Sequence, residues 1–99
     1  MSSGRILVVD DEPSVRESVG YALAQDGFDV DVARDGDEAS EKVAGEVVPY
    51  DLLIVDIMMP GPSGLDICRE VRSRSAVPII LLTAKDAEVD KVVGLEVGA

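Results

Sequence analysis

Leu52-Leu53-Ile54-Val55-Asp56-Ile57-Met58-Met59-Pro60 sets an uninterrupted apolar run directly before an acid, and Ile6-Leu7-Val8-Val9-Asp10-Asp11-Glu12-Pro13 does the same nearer the amino terminus. A third run, Ile79-Ile80-Leu81-Leu82, ends at Thr83-Ala84-Lys85. None of these runs alternates, so each predicts a strand buried on both faces, and such strands belong to parallel sheets covered by helices. The carboxyl ends of parallel strands share one edge of the sheet, and that edge is where ligands bind. Asp10, Asp11, Asp56 and Thr83 are therefore expected together.

Outward from these runs the spacing turns helical. Val15, Val19 and Leu23 with Ala22, then Ala39, Val43 and Val47, then Cys68 and Val71, and finally Val89, Val92, Val93 and Val97 each recur at helix intervals. Strands alternating with helices predict a doubly wound α/β sheet, with four helices following four strands. Pro13 suits a first helical turn, and Asp35-x-x-Glu38 and Ser63-x-x-Asp66 have the form of capping boxes. Phe28-Asp29-Val30-Asp31-Val32 alternates after Gly27, which suits a helix end; this predicts a second strand at the sheet edge with one wetter face.

The chain has 99 residues, enough for one domain with a modest core, and a formal charge of −11. That charge argues against the chain itself gripping nucleic acid or an anionic membrane, because phosphate binding needs clustered Lys and Arg. The single cysteine, Cys68, falls on the apolar face of the third helix and reads as a small core residue; no disulfide framework is possible. Met1-Ser2-Ser3-Gly4 runs straight into the first strand without room for a signal peptide or span, so a cytoplasmic location is expected. There is no internal repeat, and Pro60-Gly61-Pro62-Ser63-Gly64 reads as a strand-to-helix loop.

If the first and third strands are neighbours, Asp10, Asp11 and Asp56 converge, and carboxylates that close repel unless a cation joins them. Hard carboxylate oxygens suit Mg²⁺ or Mn²⁺. A carboxylate beside such a cation can attack phosphorus, which makes Asp56 the candidate nucleophile and phosphoryl transfer the reaction class. Thr83 can donate its hydroxyl to a phosphoryl oxygen, and amides near Met58, Met59 and Ala84 can add donors. The chain has no histidine, so a phosphohistidine donor, a His-based hydrolytic triad or a His-ligated zinc centre cannot come from it.

These motifs, in this order, resemble the receiver domain of two-component response regulators, the CheY-like superfamily. The matching stretches are Ile6 to Pro13, Asp56 to Pro60 with Ser63-Gly64, and Pro78 to Ala84. The resemblance implies a five-stranded doubly wound sheet, the flavodoxin-like three-layer sandwich. It implies that Asp56 is the phosphoacceptor, that Asp10 and Asp11 hold Mg²⁺ with the Met58 carbonyl completing the set, and that Thr83 is the switch hydroxyl. The partner it implies is a sensor histidine kinase, and catalysis is limited to self-phosphorylation and slow hydrolysis. The tail, Lys85 to Ala99, resembles receivers joined to winged-helix DNA-binding domains of the OmpR/PhoB type, so DNA would be reached only through an effector domain.

The resemblance covers residues 1–99 as a receiver domain incomplete at its carboxyl end. The family's last strand, switch aromatic, Lys-Pro pair and last helix have no counterpart before Gly98-Ala99. Lys85 does not match the family lysine and reads as a solvated loop residue; Tyr21 and Tyr50 are assigned to packing. Such a chain is expected to leave the edge of the fourth strand and part of the first strand's apolar face uncovered, favouring a homodimer or a strand-exchanged oligomer. The alternative is a pseudo-receiver, an interaction module not regulated by phosphate. A haloacid-dehalogenase-type phosphatase is disfavoured, because it needs a second acid where this chain has Met58.

Overall fold

The computed structural model describes residues 3–45, 47–57, 59, 63–73, 75–82 and 92–93. Met58, Thr83, Ala84 and Lys85 lie outside them. The elements are β1 (Arg5–Val9), α1 (Pro13–Gln25), β2 (Asp29–Ala33), α2 (Gly36–Val43), β3 (Leu52–Asp56), α3 (Gly64–Arg72), β4 (Ile79–Leu82) and β5 (Val92–Val93), in a sheet of order β2-β1-β3-β4-β5. The β1 strand pairs in parallel with both β2 and β3, and β3 with β4. This is the expected doubly wound fold.

The two faces of the sheet are covered unequally. Alternate residues of β1, β3 and β4 (Leu7, Val9, Leu53, Val55, Ile79 and Leu81) meet Ala39 and Val43 of α2 and Ile67, Cys68 and Val71 of α3 in one buried cluster. The opposite face centres on Ile6, Val8 and Ile54, with half-buried Val19 and Leu23 of α1 against them. Cys68 is the fully buried core residue its helical position predicts.

Several expectations are corrected. Val92 and Val93 are not helical: they pair antiparallel with β4, Leu81 opposite Val93 and Leu82 opposite Val92, so the sheet has a fifth strand where none was expected. β-branched valines suit a strand, and the open edge of β4 offers unpaired backbone groups. Residues 83–91 are shorter than the roughly dozen residues that a parallel crossover requires, which leaves the antiparallel pairing. Nor is the face of β1 uncovered: Ile6 is 2% and Val8 0% exposed under α1. Val30, Leu52, Ile80 and Leu82 on that face are half-covered instead.

Local signals fare unevenly. Ser63 and Asp66 form a complete capping box, each backbone N–H donating to the other's side chain. Asp35 caps α2 by accepting from the Glu38 amide at 2.8 Å, but Glu38 accepts from the amide of Arg34, one residue before the cap, so the box is open on one arm. The α2 helix ends at Val43, because Gly45 takes a φ of +112°, and Val47 lies beyond it, 77% exposed, rather than on a helix face. Gly27, with φ +95°, follows α1 as expected. Tyr21 does not pack, being 70% exposed, whereas Tyr50 is buried.

Candidate phosphoacceptor and metal site

The site is assembled by strand register. Val9 lies opposite Val55, so the residues that follow, Asp10 and Asp56, leave adjacent strands at the same level of the carboxyl edge. The Asp10 amide donates to the Ala33 carbonyl at 3.1 Å and carries the β1–β2 ladder one residue further. On the other side the Ile57 amide donates to the Leu82 carbonyl at 3.0 Å, which ties the end of β3 to β4. Both acids are buried, Asp10 at 4% and Asp56 at 8% exposure, while Asp11 faces solvent.

One ligand atom from each of Asp10, Asp11 and Asp56 lies within 4.8 Å of the others, the only such group among the described residues. Two like charges at that separation repel by ~3 kcal/mol in the effective dielectric of a protein surface, less for the exposed Asp11 because water screens it. The Asp10 carboxyl is accordingly pushed above its ordinary value. Burial is the largest cause and the neighbouring charges of Asp56, Asp11 and Glu12 add to it, while the Glu12 N–H donating to Oδ1 at 2.9 Å pulls the other way. Buried acids crowded in this way form the oxygen donor set of a hard divalent cation such as Mg²⁺, so the residues present fit that ion.

Two residues that shape this edge carry no acid. Gly64, the first residue of α3, packs against the backbone of β3's end. Its amide donates to the Ile57 carbonyl at 3.3 Å, and a β-carbon there would overlap the Asp56 carbonyl oxygen and lie 2.9 Å from its carbonyl carbon. Arg16, in the first turns of α1, donates from its guanidinium to the Asp10 carbonyl at 2.8 Å. Sequence reasoning quoted Gly64 without a role and passed over Arg16. The available signal for Arg16 was a basic residue in the first helical turns after an acidic pair.

Of the residues expected at the site, the structure brings together Asp10, Asp11 and Asp56. Met58 and Thr83 lie outside the described residues. Among the described residues no helix is long and apolar enough to cross a membrane.

The sequence model of the response regulator receiver domain matches residues 6–99 of the chain. Among solved structures, the chain is similar to response regulator protein TrrA from Thermotoga maritima in complex with Mg²⁺-BeF, at 45% identity over 87% of this chain and 72% of that one, with a TM-score of 0.74. It is similar to the BeF₃-activated N-terminal receiver domain of Klebsiella pneumoniae RstA, at 37% identity, 87% and 72% coverage and a TM-score of 0.74. A response regulator receiver protein from Methanoculleus marisnigri, through its N-terminal domain, is 30% identical over 87% of this chain and 71% of that one, with a TM-score of 0.76.

Proposed function

The chain belongs to the response regulator receiver domain family of two-component signalling, and on that premise we propose that Asp56 accepts a phosphoryl group from the phosphohistidine of a sensor kinase while Asp10 and Asp11 hold Mg²⁺. The observation that carries the proposal is the convergence of the three carboxylates within 4.8 Å at the carboxyl edge of the sheet. A carboxylate oxygen of Asp56 attacks phosphorus, the phosphorus–nitrogen bond to the donor imidazole breaks, and the imidazole leaves with the bonding electrons and takes up a proton. Bound Mg²⁺ supplies neutralisation of the phosphoryl oxygens' charge.

The chain's own residues position the nucleophile. The backbone bond from Ile57 to Leu82 and the close seat of Gly64 fix the end of β3. The Glu12 amide turns the Asp10 side chain towards the edge. Thr83, which follows β4, is proposed to donate its hydroxyl to the phosphoryl group, and the Met58 carbonyl to join the metal ligands; the motif match of both residues supports these roles. Mn²⁺ fits the same oxygen donors. The chain catalyses only its own phosphorylation and slow hydrolysis, so it is a switch and not an enzyme in the ordinary sense.

The tail's resemblance to OmpR/PhoB-type receivers supports a transcriptional output, with receivers pairing as dimers and DNA contacted by an effector domain in the cytoplasm. The charge of −11 supports that division, since this segment is repelled by phosphate backbones. The test is the intact mass of the chain after incubation with Mg²⁺ and acetyl phosphate. One added phosphoryl group, lost when a chelator is present, is the expected result. No addition with the chain folded would reject the phosphoacceptor reading in favour of an interaction module.

A further inference from the structure

Among the described residues Asp10 makes three hydrogen bonds, one of which comes from outside the local turn and sheet. Its amide continues the ladder to Ala33, and its Oδ1 accepts from the amide of Glu12. Its carbonyl accepts from the guanidinium of half-buried Arg16 at 2.8 Å. Directly after Asp10 and Asp11, Glu12 provides no side-chain cap and Pro13 has no N–H to donate, while the Val15 and Arg16 amides close the first turn of α1 on the Glu12 carbonyl. A charge-assisted bond to a main-chain carbonyl is the stronger kind of restraint, and Arg16 applies it where the acidic pair leaves the strand.

We infer that Arg16 is a positioning residue for the cation site, acting through the backbone of Asp10 to hold the Asp10 and Asp11 carboxylates over Asp56. The inference rests on the phosphoacceptor and metal reading above. Two physical effects of Arg16 oppose each other. As a positive charge on the Asp10 carbonyl it disfavours a cation at the same edge, so its removal by electrostatics alone would tighten Mg²⁺ binding. As an anchor it keeps the donor set assembled, so its removal loosens the site. Outer residues that orient ligands typically alter metal affinity by about 10–100-fold, and the anchor outweighs the charge because the guanidinium is half-exposed and screened by water.

The experiment is a calorimetric titration of Mg²⁺ into the wild-type chain, Arg16→Met and Arg16→Lys, with phosphorylation by acetyl phosphate followed across the same Mg²⁺ range. Arg16→Met is expected to bind Mg²⁺ about 10-fold more weakly. Its phosphorylation rate is expected to return to wild type at saturating Mg²⁺, and Arg16→Lys, which keeps a charged donor, to fall in between. In chelator, the Glu12 amide of Arg16→Met exchanges faster with solvent, because the carboxylate it donates to is no longer held. Unchanged or tighter Mg²⁺ binding in both variants would overturn the role, as would a maximal rate that saturating Mg²⁺ does not restore. If Arg16→Met fails to fold, Arg16→Lys decides by the same measurements. A wild-type chain that binds no Mg²⁺ would instead remove the underlying reading, and it would do so before any variant is made.

Discussion

Asp56 is the proposed nucleophile, and replacing it by Asn removes the carboxylate with almost no change in shape. Asp56→Asn is expected to add no phosphoryl group by intact mass under conditions that modify the wild type, while its circular dichroism stays native and its stability in chelator is no lower than wild type, because one of three mutually repelling carboxylates is gone. Persistent labelling would move the phosphoacceptor elsewhere. Tyr50 shows a different consequence of burial. Its hydroxyl donates to Asp31 at 2.7 Å and its ring lies under the Arg5 guanidinium, 5.2 Å from the ring centre. Burial, and then the Asp31 bond and charge, push its pKa up to about 12, against the pull of Arg5. An unfolded tyrosine releases its proton near pH 10. Between those values the unfolded chain binds fewer protons than the folded one, so the bond's contribution is complete below about pH 10 and is lost as the pH rises through about 12. Urea unfolding should show Tyr50→Phe about 1 kcal/mol less stable at pH 8, with the difference vanishing at strongly alkaline pH. A difference independent of pH would mean that the hydroxyl does not govern it.

The α3 helix begins against the backbone it positions. Ser63 and Asp66 satisfy its first amides, and Gly64 lets the first turn approach Asp56 and Ile57 closer than any β-carbon permits. Gly64→Ala therefore pushes helix and strand apart, at a cost of about 1–3 kcal/mol. Since a displacement of ~1 Å at a reacting group can cost about 10²-fold, phosphorylation should slow well beyond the loss of folded chain. Stopped-flow or mass-based rates at a temperature where the variant is fully folded make the comparison; a wild-type rate there would show that the close seat does not position Asp56. The Ser63–Asp66 box and Gly27 were visible in the residue order, because their effect is local, whereas the close seat of Gly64 was not. The reach of α2 was not: Val47 has the spacing of Ala39 and Val43, yet Gly45 ends the register before it.

Taken as a whole, the chain concentrates acid: its net charge is −11, and three of its carboxylates meet at one edge. A ligand that binds only the folded state stabilises it by mass action, by about 2.7 kcal/mol at 100 times its dissociation constant. Mg²⁺ is thus expected to raise the unfolding temperature more than NaCl at equal ionic strength, and the excess should shrink in Asp56→Asn. Equal effects of the two salts would reduce the metal's role to general screening. The three apolar runs and the acids behind two of them were legible because a strand buried on both faces admits no alternation, and those acids stand where the runs stop. Thus the residue order alone determined the strand and helix alternation, the doubly wound class and the identity of Asp10, Asp11 and Asp56. The pairing of Val92 and Val93 with β4, the cover over Ile6 and Val8, and the bonds of Arg16 and Gly64 to the backbone of Asp10 and Ile57 emerged only in three dimensions. Each depends on which neighbour lies within reach after the sheet forms, and periodicity records which side of an element is apolar without recording what meets it.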